Sequence, residues 1–148
     1  MKVQITQHLR EELTRVGSDP DAFLVAFAEW KSSGPIGEFD HYYFGKDAEY
    51  SRPLVNGKRV LRHVHLVPLD DSPHFSEWNR DWDKYRRRTS DTALVYADAG
   101  RHGYLLIAIL WEPDAHRVAA MADQLSADTM NGFASVADYF IFDGSIVI

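Results

Sequence analysis

Two short apolar runs constrain this chain more than any other feature. Ala93 to Ala97 and Tyr104 to Leu110 are rich in Val, Ile, Leu and Tyr, and Asp98-Ala99-Gly100-Arg101-His102-Gly103 joins them. Runs this short, separated by Gly and Asp, read as consecutive antiparallel strands. Flanked by polar residues, they predict a hairpin at the centre of the core. A basic cluster, Lys84, Arg86, Arg87 and Arg88, enters the first strand through Thr89-Ser90-Asp91. Strand ends are rigid mounts for charged groups, so the search for chemistry starts there.

The chain before the hairpin supplies further elements. Met1 to Thr6 alternates apolar and polar side chains and predicts a short strand. His8 to Val16 predicts one or two helical turns ending at Gly17. Ser18-Asp19-Pro20 is a helix start, because Ser or Asp caps and Pro fits the first turn. Phe23, Phe27 and Trp30 then recur at helical spacing, as a core stripe, until Ser32-Ser33-Gly34-Pro35. Glu38 to Pro53 shows no clear period and is expected to be an ordered loop or short helix over the sheet. Asn56-Gly57 marks a tight turn. Arg59 to Pro68 predicts a strand with Val64 and Leu66 on one face and His63 and His65 on the other, open, face.

Leu69 to Tyr85 is a polar connection in which Trp78, Trp82 and Tyr85 align if it is helical. Beyond the hairpin, Glu112-Pro113-Asp114 opens a helix carrying His116, Val118, Ala119 and Met121. Ser126 to Phe142 predicts a second, weaker helix, with Gly132 and β-branched residues blurring its end. The run Phe140 to Ile148 is too apolar to lie free, and is expected to pack on the domain or under a partner.

Composition narrows the function. At 148 residues, the chain reads as one domain over 1–148 with a core that needs no staples. It has no cysteine, so disulfides and thiolate metal sites are excluded. No signal-like or membrane-spanning run occurs, which predicts a cytoplasmic protein with no membrane partner. A net charge of −6 argues against broad non-specific nucleic-acid affinity, while leaving room for a local basic patch.

Three chemistries fit the polar residues. The His63-Val64-His65 pair suits a metal-dependent hydrolase only with further ligands such as His116 and Asp91. Phosphoryl chemistry on RNA needs a base for the 2′-hydroxyl, an acid for the 5′-oxygen and fixed positive charge at the phosphate. His63, His65, His116 and Arg88 supply that inventory without a cofactor, and Trp82 and Tyr85 can stack unpaired bases. The plain alternative makes Arg86 to Arg88 a solvated basic edge and the aromatic rings core.

A resemblance favours RNA. Phe44-Gly45-Lys46-Asp47-Ala48-x-Tyr50, Arg62-His63-Val64-His65-Leu66, Arg88-Thr89-Ser90-Asp91-x-x-Leu94-Val95-Tyr96 and Leu105 to Leu110-x-Glu112-Pro113 follow one another in order and spacing. In these motifs the chain resembles the YafO family of bacterial type II toxins, grouped with the RelE/YoeB-like mRNA interferases. The resemblance is strongest over 39–122 and stops at about Asp123. It implies an α+β fold, a small antiparallel sheet with N-terminal helices on one side, RelE/ParE-like, plus C-terminal helices. It also implies ribosome-dependent, metal-independent cleavage of mRNA, with the ribosome, mRNA and a cognate antitoxin as partners. The candidate catalytic set is Arg88, His63, His65, His116 and Asp91. The candidate RNA-binding set is Lys84, Tyr85, Arg86, Arg87, Trp82 and Lys46. The competing reading is an inactive toxin-like binding module.

Overall fold

A computed structural model describes residues 1–33, 43–67 and 90–147 of the chain. Its main sheet has five strands: β1 (Val3–Ile5), β2 (Phe44–Glu49), β5 (Arg62–Leu66), β6 (Ala93–Asp98) and β7 (Tyr104–Leu110). Their order is β1-β7-β6-β5-β2, so the predicted hairpin β6–β7 lies at the centre. Every pairing is antiparallel except the edge strand β1, which runs parallel to β7 and makes the sheet mixed.

Helices cover both faces. On one side lie α1 (Gln7–Arg15) and α2 (Pro20–Ser32). Asp19 caps α2 by accepting from the Asp21 amide, and Pro20 follows at a position where no backbone donor is required. Phe23, Phe27 and Trp30 are buried against Phe44, Val64, Leu66, Leu94 and Tyr96. The other face carries α3 (Ala115–Ala119) and α4 (Gln124–Asp143), whose Met130, Ala134, Ala137 and Phe140 pack on Val95, Ala97, Leu105 and Ile107.

Two expectations need correction. Phe44 to Glu49 is a strand, not a loop or short helix. A register irregularity between Phe44 and Asp47 puts both side chains on the α2 side, which erases the period-two signal. The second C-terminal helix appears where Ser126 to Phe142 predicted it, as Gln124–Asp143, and is the longest described. Buried packing overrides the low helix propensity of Gly132, while Asp123 and Gly144 supply the caps. Met121 lies beyond α3, with φ at +56°.

The region between β2 and β5 is one long hairpin. Tyr50 N donates to Leu61 O at 2.9 Å, and the chain then turns through a small ladder of β3 (Leu54–Val55) and β4 (Lys58–Arg59). At its tip, Asn56 and Gly57 both have positive φ, +50° and +77°, as a type I′ turn requires. No described helix is long and apolar enough to cross a membrane.

Candidate functional site

Strand β5 distributes its side chains by simple alternation. Arg62, Val64 and Leu66 face α1 and α2, while His63 and His65 face the side of α3 and α4. That second face is not open, as the sequence reading had it. His65 is only 7% exposed, and the Tyr50 ring stacks on His63 with centroids 4.0 Å apart and planes within 12°. His116 comes in from α3, so three imidazoles form a row: His63–His65 at 5.4 Å and His65–His116 at 5.9 Å between ring centroids.

Each ring is held differently. His65 Nδ1 donates to the Ser90 carbonyl at 2.7 Å, which in the neutral ring leaves Nε2 as the acceptor. Ser90 is fixed in turn, its hydroxyl donating to Leu66 O at 2.6 Å. His116 Nδ1 lies 2.6 Å from Asp91 Oδ1, and the same oxygen accepts the His116 backbone amide at 2.8 Å. One carboxylate therefore fixes both the backbone and the ring of this histidine. The His116 side chain is 72% exposed, so its ring is open to a ligand. His63 has no such support, because its Nδ1 is buried without a hydrogen-bond partner among the described residues.

Electrostatics separate the roles. Burial pushes His63 down to about 4, and His65, Lys46 and His116 add to the shift against a smaller opposing pull from Asp47. Burial also lowers His65, more than its bond to the Ser90 carbonyl raises it. Both rings are neutral at pH 7, where they can accept a proton or a hydrogen bond but cannot serve as stored acids. Lys46 is exposed on β2, makes no ion pair among the described residues, and lies close enough to both rings to repel their protons.

The cleft between these groups is lined by Tyr50, His63, His65, Ser90, Ala93, Ala115, His116 and Ala119, with a free volume of about 30 Å³. That is room for a water, not a nucleotide. Any ligand larger than that has to lie across the mouth, where His116 is.

On the opposite face, directly behind β5, is a second charged cluster that the sequence reading did not identify. Asp47 Oδ2 accepts from Lys31 at 2.9 Å and Arg62 at 3.1 Å, and Asp47 Oδ1 accepts from the Tyr96 hydroxyl at 2.6 Å. Burial alone would raise the Asp47 pKa, but the Lys31 and Tyr96 hydrogen bonds and both cations outweigh it and lower it.

The structure thus brings together His63, His65, His116, Asp91 and Lys46 from the predicted set. Trp82, Lys84, Tyr85, Arg86, Arg87 and Arg88 lie outside the described residues. Tyr50 and Ser90 were missed as site residues, although both fall inside the quoted motifs. Their roles depend on pairings between distant strands, which no local spacing reveals. Among the described residues, no three His, Cys, Asp or Glu side chains are grouped to hold a metal ion.

Residues 28–142 match the family model described as toxin YafO of type II toxin-antitoxin systems. The match runs past Asp123 through nearly all of α4, so the helix the sequence reading left outside the resemblance falls within the family's span. No curated protein and no solved structure matches the chain.

Proposed function

Because the chain belongs to the YafO toxin family of type II toxin-antitoxin systems, we propose that it is a metal-independent endoribonuclease cutting mRNA on the ribosome. A cognate antitoxin holds it in check in the cytoplasm. The observation that carries this reading is the exposed His116 ring clamped by Asp91 at the mouth of a cleft walled by two neutral histidines.

His116, oriented by Asp91, takes the proton from a ribose 2′-hydroxyl at its Nε2. The carboxylate stabilises the imidazolium that forms, as a buried Asp does for His in hydrolases. The 2′-oxygen attacks the adjacent phosphorus, the bond to the 5′-oxygen breaks, and the same ring returns the proton to that leaving oxygen. The products are a 2′,3′-cyclic phosphate and a 5′-hydroxyl. Charge builds on the phosphate oxygens, where Lys46 and the Arg88 guanidinium neutralise it. Trp82 and Tyr85 stack bases, while Lys84, Arg86 and Arg87 hold the RNA backbone.

Net charge does not oppose this. Residues 46–62 carry five basic and two acidic side chains, and residues 80–88 again carry five and two, within a chain of net charge −6. Both segments are basic within a chain that is acidic as a whole.

The test is to express the protein, map the 5′ ends of cellular mRNA, and assay Arg88→Ala on saturating ribosomes. Wild type should generate new 5′ ends and arrest growth. The variant should lose on the order of 10²–10³ in turnover while ribosome binding falls far less. Growth arrest with intact mRNA would replace the nuclease with a binding module, and wild-type turnover in the variant would remove Arg88 from the site.

A further inference from the structure

The hairpin tip β3–β4 is not used by the chemistry above, yet it is built as a presenting element. Its type I′ turn fixes the strand geometry, and nothing lies within 4 Å of the space a Gly57 side chain would fill, so the turn itself faces open space. The Lys58 side chain at this tip is exposed and makes no ion pair or hydrogen bond among the described residues. It pairs across the ladder with Val55, which packs on the α3/α4 side, so Lys58 shares the face of the histidine row.

Arg52, at the hairpin's base, reaches the same region. Its Nη2 donates to Ala120 O at 2.8 Å, just past the end of α3. His116 sits near the start of α3, about 6 Å away along the helix axis. Arg52 is itself exposed, and its remaining donors are unused among the described residues. Lys46, Arg52 and Lys58 therefore lie along the arm that leads from β2 out to the hairpin tip, with Arg52 tied to the end of the helix that carries His116.

Charge fixes the class of ligand. Beyond Arg117 the chain has no Lys or Arg but four Asp, at 123, 128, 138 and 143, so α4 repels a polyanion. Among the described residues, the basic side chains able to meet a polyanion beside His116 therefore come from β2 and the hairpin and not from α4.

We infer that Arg52 and Lys58 form a second phosphate-binding subsite, which grips the RNA backbone beyond the scissile bond and sets the direction in which the strand crosses His116. This rests on the nuclease reading for the position of the bond, but not for binding itself. The contact is to phosphates and carries no sequence preference.

The experiment measures binding of mRNA-programmed ribosomes, and of a naked single-stranded oligoribonucleotide, against salt concentration. Lys58→Ala, which removes no contact to any described residue, should make the log–log salt slope shallower by about 0.7, and Arg52→Ala with Lys58→Ala by about 1.4. The KM for cleavage should rise in step with the lost affinity. Unchanged slopes on both probes overturn the subsite, as does a variant that loses affinity only for a protein partner. A wild-type protein that leaves mRNA intact but shows these slope changes retains the subsite and loses the nuclease. If the wild type binds neither probe, both readings fall.

Discussion

Strand β5 builds two polar clusters on its two faces, and they are finished to different degrees. Behind it, Asp47 is saturated by Lys31, Arg62 and Tyr96, and Lys31 also lies over the rings of Trp30, Tyr96 and Tyr104. In front, His63 keeps an unpartnered buried nitrogen and His116 presents an exposed ring. A buried polar group normally finds its partners, so a satisfied network reads as architecture. Groups left with spare capacity, on the same rigid strand, read as a site. The first cluster holds β2, β5, β6 and α2 in register, and the second uses that register to align its histidines.

The strongest way to break this comparison is at Asp47. Replacing it with Ala leaves Lys31 charged and largely buried without its carboxylate, and leaves Arg62 with only the longer 3.7 Å pair to Glu49. The expected loss is about 3–5 kcal/mol of unfolding free energy, read from urea denaturation, because an uncompensated charge is left behind. Measured on folded protein, cleavage should be affected only through the fraction unfolded. A fold unmoved by Asp47→Ala would mean the rear cluster is decoration.

The matching change in front has the opposite signature. His116→Ala removes an exposed ring whose backbone amide keeps its bond to Asp91. Turnover should fall on the order of 10²–10⁴, as expected for loss of a positioned acid–base group. Stability should move by no more than about 0.5 kcal/mol. A large drop in melting temperature with activity retained would exchange the roles of the two faces.

How much of this was legible in sequence depends on the range of each interaction. The central hairpin, the α2 stripe of Phe23, Phe27 and Trp30, the Asn56-Gly57 turn and the alternation around His63 and His65 are local patterns, and they appear where period and turn chemistry place them. Strand β2 was hidden because a bulge breaks its alternation, whereas α4 was legible over Ser126 to Phe142 although Gly132 weakens its propensity. At the site, histidine and aspartate were nameable by type. That Asp91 reaches His116, 25 residues away, and that Tyr50 covers His63, follow from strand pairing. Asp47 was hardest to see, because its value lies in partners 15 to 49 residues distant.

The smallest expected effect sharpens the front cluster from the side of stability. His63 titrates near 4 in the folded chain against 6.5 ordinarily, because burial disfavours its charge and His65, Lys46 and His116 repel it. Between these values the unfolded chain holds a proton that the folded chain does not, so stability rises with pH across this window. The contribution is fully present above about pH 6.5, is lost progressively as pH falls to 4, and does not change further below that. The ring is partly solvated, so the loss should be about 2 kcal/mol, short of the full linkage value. His65 is lowered in the same direction, and it remains when His63 is replaced by Phe, which keeps a ring against Tyr50. Urea unfolding between pH 7 and 4.5 should therefore show a shallower decline in His63→Phe than in wild type, with some slope left. Identical declines would mean that His63 is protonated in the folded protein, and that the row of imidazoles is not held neutral by its burial.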